Sequence, residues 1–264
     1  VSQDVVSQIL KDYIYKTLTE KKRIDGRGLL EYRKIDIQTG FIEVAEGSAR
    51  VKLGNTDVLA GVKMSIGEPF PDTPESGVMT TNAELIPMAS PTFEAGPPDE
   101  NSIELSRVVD RGLREGQVVD LSDLCIEPGE KVWVMFIDLH ILDYDGNLFD
   151  ASAMAAVAAL ASTKVPASQY ELGDDYPLPI KNWPVMTTFA KIKDIIVLDP
   201  GLDEERVADA RLSVYTDQDG HIRAMQKGLN GGFSYDEVKE IVRLSKEKGK
   251  EVRKILMDAV KGGE

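Results

Sequence analysis

Three stretches of this chain carry residue types whose spacing suits chemistry. In "SIELSRVVDRGLREG" (102–116), helical stepping of about 100° per residue brings Arg107, Arg111 and Arg114 within about 60° of one another. Leu105, Val109 and Leu113, with Gly112, fall on the opposite side. Such a helix packs by one face and presents a row of guanidiniums on the other. A guanidinium stays charged and its planar fork binds two phosphate oxygens at once. Glu104, Asp110 and Glu115 lie on the flanks of the row. The row therefore reads either as a solvated face laced with weak ion pairs or as a path for a polyanion along its centre. In "DYDGNLFDASAMAAVAAL" (143–160), an Asp145-Gly146 turn feeds a helix N-terminus, where free N–H groups and the helix dipole favour an anion. The turn nevertheless holds Asp143, Asp145 and Asp150, has no Arg or Lys, and puts bulky Leu148 and Phe149 where an anion needs room. In "LDPGLDEERVAD" (198–209), Asp203 and Asp209 could share proton transfer or a metal. The plainer reading, an Asp-Pro-Gly turn followed by solvated charges, is preferred there.

Other candidate groups add little. His140 lies in an apolar strand and reads as a core histidine, and His221 follows the "DQDG" turn and reads as exposed. Two histidines and one cysteine far apart make no zinc cluster, and the aspartates of 143–150 lack the remaining spacing of a calcium loop. Cys125, the single cysteine, excludes an intrachain disulfide and reads as a packed side chain in a reducing cytoplasm. The formal net charge is −14 over 264 residues, with a pI near 4.7. A field of that sign repels nucleic acid as a whole. Any contact with RNA must use a local basic patch and the help of a partner.

These groups need elements to hold them. The pattern predicts an amphipathic first helix with Val5, Ile9, Leu10, Tyr13 and Ile14 at helical spacing, and then strands in "KIDIQTG", "SARVKLG", "TDVLAGVKMSI" and "GVMTTNAELIP", with "GNT" as a hairpin turn. The arginine helix follows from about Ser102 to Glu115, then a buried strand "KVWVMFIDLHILD" and an alanine-rich helix over 150–162. The proline-interrupted segment 164–184 is the best internal junction. Beyond it the pattern restarts with "VMTTFAKI", "DIIVLD", "ARLSVYTD" and "HIRAMQKG". A long helix then runs from Ser234 to about Val260, opened by a Ser234–Glu237 capping box, with Val238, Ile241, Val242, Val252, Ile255 and Leu256 on its apolar face. Strands followed by helices, twice over, predict an α+β protein with pseudo-repeated mixed β-sheets packed with helices.

The stretch 23–62 resembles the start of RNase PH-type domains. There an R-x-D-G-R element precedes an arginine, an A-x-G-S turn and a G-N-T-x-V hairpin. This chain supplies Arg23, Asp25, Gly26, Arg27, Arg33, Ala45, Gly47, Ser48, Gly54, Asn55, Thr56 and Val58. The likeness extends through the arginine helix, the Asp-Gly turn and the last helix. It implies an RNase PH-like fold (ribosomal protein S5 domain 2-like), one domain over 1–264 with an internal pseudo-repeat. Residues 67–115 resemble the non-catalytic RNase PH-like subunits of the archaeal exosome.

That resemblance implies a hexameric ring alternating two related subunits, a trimer of heterodimers, with RNA-binding cap subunits. The catalytic RNase PH-like partner holds the phosphorolytic site, which consumes inorganic phosphate as co-substrate, leaves room for a divalent metal, and can run in reverse. Catalytic members carry Gly-Thr-Arg after the Asp-Gly turn. Here those positions read Asn147, Leu148 and Phe149, so the phosphate site is lost. The expectations are therefore a cytoplasmic, non-catalytic subunit with no catalytic residue and no cofactor of its own, which binds single-stranded RNA through Arg107 and Arg111, with Arg114 added from helical geometry. Two alternatives stay open. One is an autonomous phosphorolytic 3′-to-5′ exoribonuclease using Asp203 and Asp209, and the other is a purely architectural spacer.

Overall fold

The structure is a computed structural model that describes residues 2–262, with side chains described from Ile9 onward. Two antiparallel-rich sheets are built in sequence order, and an apolar helix lies between them. The first sheet collects β1 (Ile35–Thr39), β2 (Gly47–Leu53), β3 (Thr56–Gly67), β4 (Val78–Leu85), β5 (Cys125–Glu127) and β6 (Lys131–Asp143). Its order is β1-β2-β3-β6-β4, with β5 on β6. All its pairs are antiparallel except β4 with β6. Gly54 and Asn55 form the two-residue turn between β2 and β3, and Gly54 takes the positive φ of 60° that such a hairpin asks for. Two short strands, β7 (Lys164–Val165) and β8 (Tyr176–Pro177), pair within the 164–184 segment. The second sheet holds β9 (Val185–Ile192), β10 (Ile195–Leu198), β11 (Ala210–Thr216) and β12 (Ile222–Gly228), ordered β10-β9-β11-β12 and antiparallel throughout.

The helices are α1 (Ser2–Thr19), α2 (Glu100–Glu115), α3 (Leu148–Ala161), α4 (Leu202–Val207) and α5 (Tyr235–Gly262). Every residue of α3 from Phe149 to Leu160 is buried, because it touches β2 and β3 on one side and β9 on the other. A helix covered all round must be apolar all round. Its alanines let both sheets approach closely, as at Gly47, where an added Cβ would lie 2.5 Å from the Ala159 carbonyl.

Several sequence expectations are corrected by this packing. In α1 the inner face is Leu10, Ile14 and Leu18, whereas Ile9 and Tyr13 are 66% and 58% exposed. The side chain of Val5, placed on the same face, lies outside the described residues. In α5 the buried line runs Ile241, Ser245, Gly249, Val252, Leu256 and Val260, and Ile255 falls outside it. Ser234 and Glu237 do cap the helix reciprocally, at 2.6 and 3.2 Å. His140 is no core histidine. Alternation along β6 buries Met135, Ile137, Leu139 and Ile141 and turns the even positions outward, where His140 Nδ1 meets the Glu84 carboxylate of β4 at 3.1 Å. Cys125 is half-buried, and His221 is exposed beside Asp217.

Candidate nucleic-acid interface

Asp99 fixes the start of α2, its Oδ1 accepting the Ser102 N–H at 2.8 Å. That backbone hydrogen bond holds the Asp99 carboxyl below the usual carboxylate range. Ser102, Leu105, Val108, Val109, Gly112 and Leu113 are buried, against β4, α3 and β12. At Gly112 the helix lies so close to Tyr215 that an added Cβ would stand 2.0 Å from the ring. This packing turns the arginines outward. Arg107 and Arg111 are exposed, and neither guanidinium has a hydrogen-bond or ion-pair partner among the described residues. Arg114 differs: its Nε donates to Asp110 at 2.8 Å and its Nη2 to the Met79 carbonyl. Of the flanking acids, Asp110 is thus taken up by Arg114, and Glu104 accepts from Arg211 Nη2 at 2.8 Å. Two acids that could cancel the row are engaged elsewhere, and two guanidiniums remain unpaired.

The Asp145-Gly146 turn lies at the other end of this surface. Gly146 has φ 89° and faces Pro200, Gly201 and Leu202 so closely that a Cβ would fall 2.5 Å from the Leu202 nitrogen. Asn147, at φ 53°, caps α3, its side chain accepting from the Asp150 N–H. The frame for an anion is therefore present, and the chain itself fills it. Glu205 Oε1 accepts the Asn147 N–H at 2.9 Å, and its Oε2 accepts the Tyr144 hydroxyl at 2.8 Å. Burial pushes this carboxyl up, while Asn147, Tyr144, Arg211 and Arg33 pull it down. Phe149 is buried, and the Arg211 guanidinium lies 4.1 Å above its ring centre.

Asp150 does not face the mouth of the turn. It is fully buried and accepts from Tyr32 Oη, Asn147 Nδ2, Thr188 N and Thr188 Oγ1 at 2.7–3.0 Å. Burial pushes it up to about 7 despite those donors, and neighbouring Asp199 adds to the rise.

Asp203 and Asp209 have separate partners. Asp203 sits exposed in the first turn of α4 with Arg206 Nη1 at 3.5 Å. Asp209 accepts from Lys11 of α1 at 2.5 Å and from the Lys193 N–H at 2.7 Å. The segment between them corrects the reading of solvated charges. Glu204 is buried and takes a two-pronged bond from Arg23, and Glu205 turns into the anion frame. Just before them, buried Asp199 accepts from Arg27, from the Arg33 side chain and backbone, and from Asn147. The arginines of the 23–33 motif are therefore ties between the two halves of the chain. Glu205, Arg211 and Asp199 are the residues that sequence reasoning missed. Nothing local marks Glu205, which meets Asn147 across 58 residues of chain.

Known proteins share this architecture over nearly its whole length. The models of the 3′ exoribonuclease family match residues 31–166 (domain 1) and 182–248 (domain 2). The exosome complex component Rrp42 of Thermococcus gammatolerans is 56% identical, with 97% of each chain covered. The corresponding component of Methanocella arvoryzae is 53% identical over 97% of this chain and 98% of its own. A solved Archaeoglobus fulgidus exosome with RNA bound to the active site contains a chain that superposes at a TM-score of 0.92. That chain is 52% identical, and the match covers 95% of this chain and 98% of it. With this likeness and the two-sheet frame described above, the chain belongs to the RNase PH family of 3′ exoribonucleases.

Proposed function

We propose that this chain is the non-catalytic subunit of an archaeal exosome ring. It binds single-stranded RNA through Arg107 and Arg111 and passes it to a catalytic RNase PH-like partner. The observation that carries this reading is the contrast between two sites on one molecule. The arginine row keeps two unpaired guanidiniums, while the anion frame of α3 is closed by Glu205. In phosphorolysis the phosphate is the nucleophile, so a frame filled by a carboxylate lacks a reactant. The partner supplies the phosphate site, the chemistry from the 3′ end, and its reversal. Rings of alternating subunits, capped by RNA-binding proteins and working in the cytoplasm, are the setting this role requires. Residues 1–264 work as one RNase PH-like unit with an internal junction near 164–184, a reading supported by the ties from Arg23, Arg27 and Arg33 to the second half.

Arg107 and Arg111 grip the phosphate backbone without reading bases. Arg114 steadies the end of the row through Asp110 and Met79 and adds its charge to the field there.

The test uses the ring reassembled with its catalytic partner. Reversing both charges, Arg107→Glu with Arg111→Glu, is expected to weaken RNA binding by roughly tenfold or more and to flatten its salt dependence. The mass of the assembly should stay unchanged. The isolated chain, given single-stranded RNA and phosphate, should release no nucleoside diphosphate. Release without the partner would establish the autonomous enzyme instead, and an unchanged RNA affinity in the double variant would leave the architectural spacer.

A further inference from the structure

The arginine row does not stand on an open surface. Between α2 and the edge strand β12 runs a groove of ≈ 370 Å³ lined by Glu100, Ile103, Glu104, Arg107, Arg111 and Gln226, with Val108 at its base. That volume falls in the range of about 300–1,000 Å³ typical of small-molecule sites. A second, deeper space of ≈ 10 Å³ is shared by Arg111, Ser213, Tyr215 and Gln226. Tyr215 is 2% exposed, and its hydroxyl has no hydrogen-bond partner. A space of that size holds about one water, which gives the orphaned hydroxyl a route to the groove floor. Of the acids present, Glu104 is neutralised by Arg211, and Glu100 sits at the helix start. Ile103, 46% exposed, offers an apolar wall.

We infer that this α2–β12 groove is a subsite for one ribonucleotide of a single-stranded RNA, in which Arg107 and Arg111 hold the phosphodiester and Gln226 hydrogen-bonds the sugar or base. The inference rests on the RNA-binding role proposed above and adds to it the second wall of the path. Gln226 suits the task because its amide both donates and accepts. Its present bond, Nε2 to Glu104 at 3.4 Å, is long enough to yield to a ligand. Ile103 gives a ribose or base face an apolar surface beside the charges.

The experiment measures the affinity of the reassembled ring for end-labelled single-stranded RNA, with phosphate omitted so that the strand survives. Gln226→Glu should bind roughly tenfold more weakly, and Gln226→Ala roughly threefold more weakly. Lys227→Gln makes the same change of one charge on the opposite face of β12, and should stay within about twofold of the wild type. If both Gln226 variants bind like the wild type while the Arg107/Arg111 reversal weakens binding, the subsite is refuted and the RNA path over α2 stands. If Lys227→Gln loses as much as Gln226→Glu, the effect belongs to the general field and the subsite is again refuted. If the arginine reversal is also silent, both readings fall.

Discussion

Asp150 illustrates how one side chain can be read correctly for its position and wrongly for its surroundings. It follows the Asp-Gly turn, as the sequence says, yet it points inward and meets four donated hydrogen bonds. A carboxyl whose folded-state value is raised to about 7 binds its proton more tightly in the native state than in the unfolded chain. Its contribution to stability is therefore full below the unfolded value of 3.8 and is lost as pH rises through about 7. Asp150→Asn removes that titration. Denaturant unfolding at about pH 5 and about pH 8 should show a smaller loss of stability between the two in the variant than in the wild type. An identical pH slope in both proteins would mean that Asp150 titrates alike folded and unfolded. Glu205 belongs to the same scale. No spacing rule joins it to Asn147, so only the folded chain reveals that the anion frame is occupied from within.

Among the elements, α2 owes its function to how it packs. The helical period predicts which face carries arginines, and the structure agrees that Leu105, Val109, Gly112 and Leu113 turn inward. The period does not predict that Asp110 and Glu104 are taken by other cations, because those cations come from Arg114, with its second anchor on β4, and from β11. Gly112 is the position on which the packing turns. Gly112→Ala would drive a methyl into the buried Tyr215 ring, and the variant should lose about 1–3 kcal/mol by thermal or denaturant unfolding. It should also shift α2 against β12, so RNA affinity of the ring should fall together with stability. A variant as stable as the wild type would mean that Tyr215 has room to move. Helix α5 carries the same lesson. Its capping box was legible because Ser234 and Glu237 are neighbours in sequence. The exposure of Ile255 was not, because a 28-residue helix touches different partners along its length.

At the scale of the whole molecule, the two halves are joined by buried charge. Arg33 donates to Asp199 through two nitrogens at 2.7 and 3.0 Å, and to the carbonyls of Asp145 and Gly146. Arg23 and Arg27 add bonds to Glu204 and Asp199. Asp199 holds this position at a φ of 50°, the left-handed region, a strained backbone kept by its surroundings. Removing one partner leaves a buried carboxylate uncompensated, so Arg33→Ala should cost about 3–5 kcal/mol of unfolding free energy. A loss below about 1 kcal/mol, as for an exposed pair, would show that the tie is not structural. The acidity of the chain also has its meaning here. A net charge of −14 leaves Arg107 and Arg111 as a local exception, which suits a subunit that receives RNA beside a partner.

The sequence by itself determined the order of strands and helices, the face of α2 that carries guanidiniums, and the loss of the Gly-Thr-Arg phosphate loop. Each of these is written in neighbouring residues through a period of two, a period of 3.6, or a turn. Only the tertiary structure decided that Glu205 fills the vacated anion frame, that the arginines of 23–33 are internal ties, and that β12 supplies the second wall beside Arg107 and Arg111. Those facts depend on side chains brought together from distant parts of the chain. Burial and pairing across such separations are set by how the sheets close on α3, and no local pattern encodes them.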